Sequence, residues 1–322
     1  MTAAGKDAEK DAGQGLVAVT GATGFIGAAL IDKLLDRGVR VRALARNPAR
    51  LKRANNLYTE QGDLDDEAAL IRLVDGAGAV IHLAGVTNAP TEQDYLKINA
   101  AGAGRAAGAA AKAGARFIYA SSMSARAPDA SPYAMSKFEG ERAVAAAKRC
   151  EFLSLRLPAI YGPGDVGTLP YFKLIKSGFA LEPATDEPAR ASLLFVEDAA
   201  EALLAAITKA EPGVVYEVGD DKPDGYSWAE IGKALGDAFG ASPIAVRVPK
   251  PAVALYHQGV RAADRALGRA PSMRQGQVNE FFHPDWVARD NLFSKAAGWA
   301  PTTPLAEGFA KTIRWYQEQD LL

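Results

Sequence analysis

Tyr133 and Lys137, in the run Tyr133-Ala-Met-Ser-Lys137, put a phenol and an ammonium four residues apart. On a helix that spacing sets both side chains on one face. A free phenol titrates near 10 and is a poor proton donor or acceptor at neutral pH. A neighbouring lysine cation favours the phenolate and moves it toward the working range. A hydroxyl is needed beside it to polarise a substrate oxygen. Tyr119-Ala-Ser-Ser122 closes an apolar run that reads as a strand, and parallel sheets place their ligands at the carboxyl ends of strands. Ser122 is the expected hydroxyl, with Ser121 and Ser124 as near alternatives.

A second group of residues points to a phosphate-bearing ligand. Thr20-Gly-Ala-Thr-Gly-Phe-Ile-Gly27 carries glycines at 21, 24 and 27, between a predicted strand and a predicted helix. Gly21 would make the tight turn, Gly24 would let backbone approach a pyrophosphate, and Gly27 would let the helix pack on the strand. The helix N-terminus adds free N–H groups and a positive dipole end. Cofactor choice is expected at the end of the second strand, where an acid would bond the ribose 2′-OH of NAD. The chain has Arg42-Ala-Leu-Ala-Arg46 there and no acid, so Arg46 helped by Arg42 predicts NADP(H), with NAD(H) as the alternative if both arginines are solvated surface charges. Asp63, in Gly62-Asp63-Leu64, is expected either to hydrogen-bond adenine or to serve as a plain turn residue.

These residues need a scaffold that gathers strand ends. Leu16–Thr20, Val39–Ala45, Leu57–Glu60, Ala79–Leu83, Arg116–Ala120 and Phe152–Leu157 read as strands. Helical stretches between them, beginning with Phe25–Arg37, make βαβ units. The expected fold is α/β, a Rossmann-type doubly wound parallel sheet with a smaller C-terminal substrate-binding lobe. The expected division is a disordered tail over 1–14, a dinucleotide-binding domain over 15–160, and a mainly substrate-binding lobe over 161–322. The Ala/Gly-rich stretch Asp94–Ala113 reads as a closely packed helix, its glycines at 102, 104 and 108 admitting neighbours.

Composition narrows the function. The 322 residues are 48% hydrophobic, with 37 Lys plus Arg against 38 Asp plus Glu, so no global field points to nucleic acid. One cysteine, Cys150, excludes a disulfide framework, and His82, His257 and His283 lack the close pairing of a catalytic metal site, so no metal is expected. No run approaches the roughly 18 to 20 apolar residues that cross a bilayer. The N-terminus lacks a secretory h-region, and the expected compartment is cytoplasmic.

The chain resembles the extended short-chain dehydrogenase/reductases, the NAD-dependent epimerase/dehydratase family. The resemblance runs from about Leu16 to Tyr316 and includes the glycine loop, Gly62-Asp63-Leu64, His82-Leu-Ala-Gly85, Asn99, Ser121-Ser122, Tyr133/Lys137, Tyr161-Gly-Pro-Gly164 and Val196-Glu-Asp198. It implies Tyr133 as acid/base, Lys137 as its modulator and a holder of the nicotinamide ribose, Ser122 as oxyanion partner, and Asn99 in a proton relay. Asn99 could equally cap a helix or bond backbone. It further implies cofactor contacts from Thr23, Phe25, Ile26, Leu64, Leu83, Ala84 and Gly85, and a homodimer.

Departures from the family's pattern bear on substrate. Only eleven steps separate Ser122 from Tyr133, roughly half the usual number, which predicts a more open pocket. Met123-Ser124 replaces the acid pair of the sugar dehydratases, which excludes dehydration. Ala159 and Ala191 stand where nucleotide-sugar epimerases commonly carry Asn and Arg; Arg190 is one residue off, and Leu193, Leu194 and Phe195 follow. Fewer polar anchors predict an apolar pocket and a lipophilic small-molecule substrate. Reduction of a hydrophobic ketone, such as the 3-oxo lipid 3-oxoceramide, is the expected activity. A nucleotide-sugar epimerase and a non-catalytic, cofactor-bound assembly subunit are the alternatives. Lys250–Leu267 shows a stripe of Val253, Tyr256, Val260, Ala263 and Leu267, and residues 247–274 hold six basic side chains against Asp264 alone. Peripheral contact with an anionic membrane is one expectation, packing of the stripe on the lobe the other.

Overall fold

Apolar runs bounded by glycine and polar residues assemble into one parallel sheet. In the computed structural model, which describes residues 15–220, 222–269 and 273–322, its strands are Leu16–Thr20 (β1), Arg40–Ala45 (β2), Leu57–Gln61 (β3), Ala77–His82 (β4), Arg116–Ser122 (β5), Phe152–Leu157 (β6) and Val215–Glu217 (β7). Their order is β7-β6-β5-β4-β1-β2-β3. This is the expected α/β Rossmann-type architecture. The tail expected over 1–14, and positions 270–272 of the basic stretch, lie outside the described residues.

Each residue of β1 is buried because helices cover both sheet faces. One face packs Leu30, Ile31 and Leu34 of the helix Phe25–Asp36 with Ala199, Ala202 and Leu203 of the helix Val196–Ala205. The other packs Leu70 and Leu73 with Ala103, Ala106, Ala107 and Ala110 of the helix Gly102–Ala113. A Cβ at Gly102 would stand 2.7 Å from Leu64 Cδ1, and one at Gly104 would stand 3.2 Å from Ala143 Cβ, so both admit close neighbours. Gly108 has open space around it, and nothing in the structure explains it. The preceding turns, Glu92–Tyr95 and Leu96–Ala101, run into this helix, the second as a π-helical segment centred near Asn99.

After residue 161 the chain returns to the sheet. β7 pairs with β6 in register Val215↔Ser154, and Val196–Ala205 lies against Phe25–Asp36 through Lys33–Glu197 at 2.9 Å and Arg37–Glu201 at 2.7 Å. A division at 160 therefore passes through the sheet layer. The remainder forms the smaller lobe around Phe172, Ile175, Phe195, Leu235, Phe309 and Tyr316.

Gly140 sets how closely the helix Pro132–Ala145 approaches β5. A Cβ there would stand 2.2 Å from the Tyr119 hydroxyl and 3.0 Å from the Asn99 backbone oxygen. Tyr119 is fully packed and cannot step aside. Gly140→Ala is expected to destabilise the fold by about 1–3 kcal/mol, read as a lower urea midpoint. An unchanged midpoint would show that the helix can shift without loss.

Candidate active site

The glycine loop joins β1 to its helix at the point where the strand order reverses between β1 and β4. Gly21 has φ +75, and a Cβ there would lie 2.6 Å from the backbone of both Leu83 and Ala84. A Cβ at Gly27 would lie 2.2 Å from Gly21 O. Gly24 is the helix N-cap, with no side chain closing the first turn and no acid in it. Glycine is thus required at 21 and 27 for close backbone packing, and the helix N-terminus stays open at Gly24. Beyond β4, Leu83 N donates to Thr20 O at 3.1 Å and Ala84 N to Thr20 Oγ1 at 3.3 Å, so the 83–85 segment lies against the loop. Thr20 also bonds His82 Nδ1 at 2.9 Å; burial pushes that imidazole down to about 3 and keeps it neutral. This cradle of small residues and an uncapped helix start fits the pyrophosphate of a dinucleotide.

Arg42 and Arg46 do not act together. Arg42 points from mid-strand to the helix Glu67–Val74, where its guanidinium donates to Arg72 O at 2.8 Å and Asp75 O at 2.7 Å. Those carbonyls at a helix end need donors, and Arg42 supplies them. The expected help from Arg42 in holding a 2′-phosphate is therefore corrected. Arg46, just past β2, is exposed. Asp63 is also exposed, and one of its carboxylate oxygens accepts from Asp65 N at 2.9 Å in an Asx turn.

The residues expected to handle protons meet at the end of β5. Ser121 and Arg156 are register partners on β5 and β6, and Ser121 Oγ donates to Glu141 at 2.6 Å. Its successor Ser122 faces the other way, where its hydroxyl accepts from Ser124 N at 3.2 Å and acts on the Tyr133 phenol in the direction of the phenolate. Alternation along one strand separates the two serines. Ser131 caps the helix Pro132–Ala145, accepting from Ala134 N at 3.0 Å, and so sets Tyr133 in the first turn. One turn on, Lys137 is buried; its Nζ donates to Ala120 O at 2.5 Å and lies 4.6 Å from the Tyr119 ring centroid. Burial raises the Tyr133 phenol, while the Ser122 hydroxyl and the Arg274 charge oppose that rise.

Asn99 braces the site. Its amide accepts from Val86 N at 2.7 Å and donates to Val86 O and Ser136 Oγ, both at 2.9 Å. It joins the segment after β4 to the helix of Tyr133 and Lys137. The short path from Ser122 to Tyr133 makes two 3₁₀ turns, Met123–Arg126 and Pro128–Ala130. The chain from 274 to 287 lies against this path: Arg126 donates to Val287 O at 2.9 Å, Asn279 to Ala130 O at 3.2 Å, and Glu280 accepts from Ser131. The openness expected there is thus countered by a wall from the C-terminal part. No sequence signal tied Arg274, Gly276 or Glu280 to this site, because Ser131 and Tyr133 lie more than 130 residues away.

Leu193, Leu194 and Phe195 form a short strand buried in the core, so they line no open site. Arg190 donates to Asp224 O at 2.7 Å and to Glu230 at 3.0 Å, a structural assignment. Among the described residues no three His, Cys, Asp or Glu side chains converge as a metal cluster.

Residues 17–219 match the NAD dependent epimerase/dehydratase family. Over 94% of its length the chain is 39% identical to a ceramide reductase of Caulobacter vibrioides, covering 95% of that protein. It is 27% identical to a 3β-hydroxysteroid dehydrogenase/Δ5→4-isomerase of Mycobacterium tuberculosis, covering 94% of this chain and 90% of that one. In fold it is similar to a UDP-glucose 4-epimerase of Thermotoga maritima, with a TM-score of 0.72, 19% identity, and coverage of 94% and 99%.

Burial draws the Lys137 ammonium down to about 8 from 10.5, opposed by the Glu141 charge. The unfolded chain therefore binds more protons between those pH values, and stability rises with pH across that window. Lys137→Met removes the penalised charge. It is expected to raise the unfolding midpoint at neutral pH, the advantage shrinking as pH climbs past about 8. A midpoint that falls at neutral pH would show that the bond to Ala120 O outweighs desolvation.

Proposed function

Because the chain belongs to the NAD-dependent epimerase/dehydratase family and is an NAD(P)-dependent short-chain dehydrogenase/reductase, we propose that it reduces the ketone of a hydrophobic small molecule with NADP(H), a long-chain 3-oxo lipid such as 3-oxoceramide. The observation that carries the substrate class is the full-length similarity to the Caulobacter ceramide reductase. Two features of the site support it. Ala159 offers no polar anchor before Tyr161-Gly-Pro, and the Arg190 guanidinium is already engaged with Asp224 O, Gly225 O and Glu230, so it is not free for a sugar diphosphate.

The glycine loop, the open helix start at Gly24 and the Leu83–Gly85 segment hold the dinucleotide, and Arg46 holds its 2′-phosphate. Bound there, the nicotinamide supplies hydride to the carbonyl carbon. Ser122 and Tyr133 donate hydrogen bonds to the carbonyl oxygen, and Tyr133 then gives its proton to the forming alkoxide. Lys137 favours the phenolate that remains and holds the nicotinamide ribose. Asn99 keeps the helix of Tyr133 in place beside the cofactor segment and belongs to the path by which the proton returns.

The reading includes contact with the anionic cytoplasmic face of a membrane through the helix Lys250–Ala266. His257 is its one buried side chain; Val253 and Val260 turn partly inward. The outward face presents Leu255, Tyr256 and, just past the end, Leu267, exposed by 72%, 66% and 61%. Lys250, Arg265 and Arg269 are exposed near it. Apolar side chains with adjacent cations suit the boundary of an anionic bilayer. No helix among the described residues is long and apolar enough to cross one.

Three measurements test the reading. Purified protein is expected to oxidise NADPH when given detergent-dispersed 3-oxoceramide, with turnover lost in Tyr133→Phe; redox-neutral conversion of a UDP- or GDP-sugar instead would make it an epimerase. Arg46→Ala is expected to weaken NADPH at least about tenfold with little effect on NADH, as loss of a charge-assisted phosphate contact requires, whereas Arg42→Ala should leave that ratio unchanged. A wild-type preference for NADH sinks the cofactor assignment. In flotation with phosphatidylglycerol-containing vesicles the protein is expected to rise with the lipid, and Leu255→Glu/Tyr256→Glu to stay behind; equal behaviour of the two proteins would remove this helix from the contact.

A further inference from the structure

The cation facing the Tyr133 ring comes from the far end of the chain. Arg274 Cζ stands 5.2 Å from the ring centroid. Its guanidinium is paired with one carboxylate oxygen of Glu280, and the other oxygen accepts from Ser131 Oγ. Ser131 is the cap of the helix that bears Tyr133, so the ion pair is anchored to the same element as the ring. Glu280 is 8% exposed, and the pair is therefore largely shielded from solvent.

The backbone is held as firmly as the side chain. Gly276 has φ +81, and a Cβ there would lie 2.3 Å from Ser131 Cβ, so only glycine permits this approach. The buried His257 bonds Arg274 O at 2.9 Å, and Arg261 donates to Met273 O at 2.9 Å. Lys137, one turn beyond Tyr133, instead directs its Nζ to Ala120 O.

We propose that Arg274 is a positioning residue for Tyr133: a guanidinium delivered by the C-terminal segment onto the phenol ring and fixed there by Glu280 and Ser131. A cation on the face of a phenol is attracted by the ring and more strongly by the phenolate, so it assists ionisation. The other charged or titratable groups around Tyr133 are Glu280 from the same segment, Tyr95 packed edge-on at 6.4 Å, Tyr119 from β5, and Lys137 on its own helix. Arg274 adds a favourable charge to the effect of the Ser122 hydroxyl, and Glu280 and Tyr95 oppose it. The inference rests on Tyr133 being the acid–base group and is independent of which ketone, or which sugar, is the substrate.

The test therefore needs no substrate. The tyrosinate absorbance of wild type minus that of Tyr133→Phe, at a fixed alkaline pH where the fold persists, reports the phenolate at this one position. In Arg274→Gln the ratio of phenolate to phenol at Tyr133 is expected to fall about tenfold, the effect of one unit in pKa. A difference spectrum that overlays wild type overturns the proposal. Should that variant not fold, Arg274→Gln/Glu280→Gln leaves no shielded charge unpaired, and its phenolate fraction must also fall below wild type; a fraction at or above wild type overturns it equally. Failure here would leave the reductase reading standing, and silence with 3-oxoceramide would leave this one.

Discussion

A lysine cation kept out of water is the constraint on which the site depends. Lys137 needs opposite charge, and Glu141, one turn along the same helix, provides it. Glu141 is itself buried and is held by Ser121 and by two nitrogens of Arg156, at 2.9 and 2.8 Å. Arg156 next faces Glu217 at 3.7 Å, and Glu217 meets Arg126 at 3.6 Å and accepts from the backbone of Arg289 and Asp290. Any of these charges buried alone would be strongly destabilising. In alternating sequence each compensates the next.

That chain of charges explains why the two halves of the sequence interleave. Glu217 sits on β7, which comes from the second half and completes the sheet beside β6. Arg126 follows Ser122 closely in the chain, and it also holds the backbone of Asp285 and Val287 and faces the Asp285 carboxylate. The C-terminal segment is therefore tied both to the charge network and to the start of the Tyr133 helix. With so few residues between Ser122 and Tyr133, a wall against the site has to come from elsewhere in the chain. The segment that provides it also carries Arg274.

The parts legible in the sequence are those where local chemistry and global position agree. β1, the glycine loop and its helix follow from an apolar run, three glycines and helical periodicity. Tyr133 and Lys137 follow from i,i+4 spacing. Arg42 was not legible, because the residue number says only that it lies on a strand near Arg46. Which face it takes depends on the register, and the open carbonyls at the end of Glu67–Val74 draw it away. Leu193–Phe195 poses the same kind of ambiguity: an apolar run after a polar anchor position fits a pocket wall and a core strand equally well, and the core takes it. Arg274 was legible only as one charge of a basic stretch and Glu280 not at all, since their place at the site depends on Ser131 and Tyr133 across a long stretch of chain.

Asn99 shows how position and chemistry divide within one residue. Its side-chain oxygen and amide nitrogen are committed to Val86 on one side and Ser136 on the other, and Ser136 in turn donates to Tyr133 O at 2.8 Å. A side chain so engaged fixes a distance. In the proposed reaction Leu83–Gly85 stands on the cofactor side and Tyr133 on the proton side, and hydride and proton must reach the same carbonyl in one geometry. The π-helical turn at Leu96–Ala101 carries Asn99 to this position, where its amide meets both partners. Damage at Asn99 would act first by letting the two sides drift, because the amide contributes alignment before any proton moves.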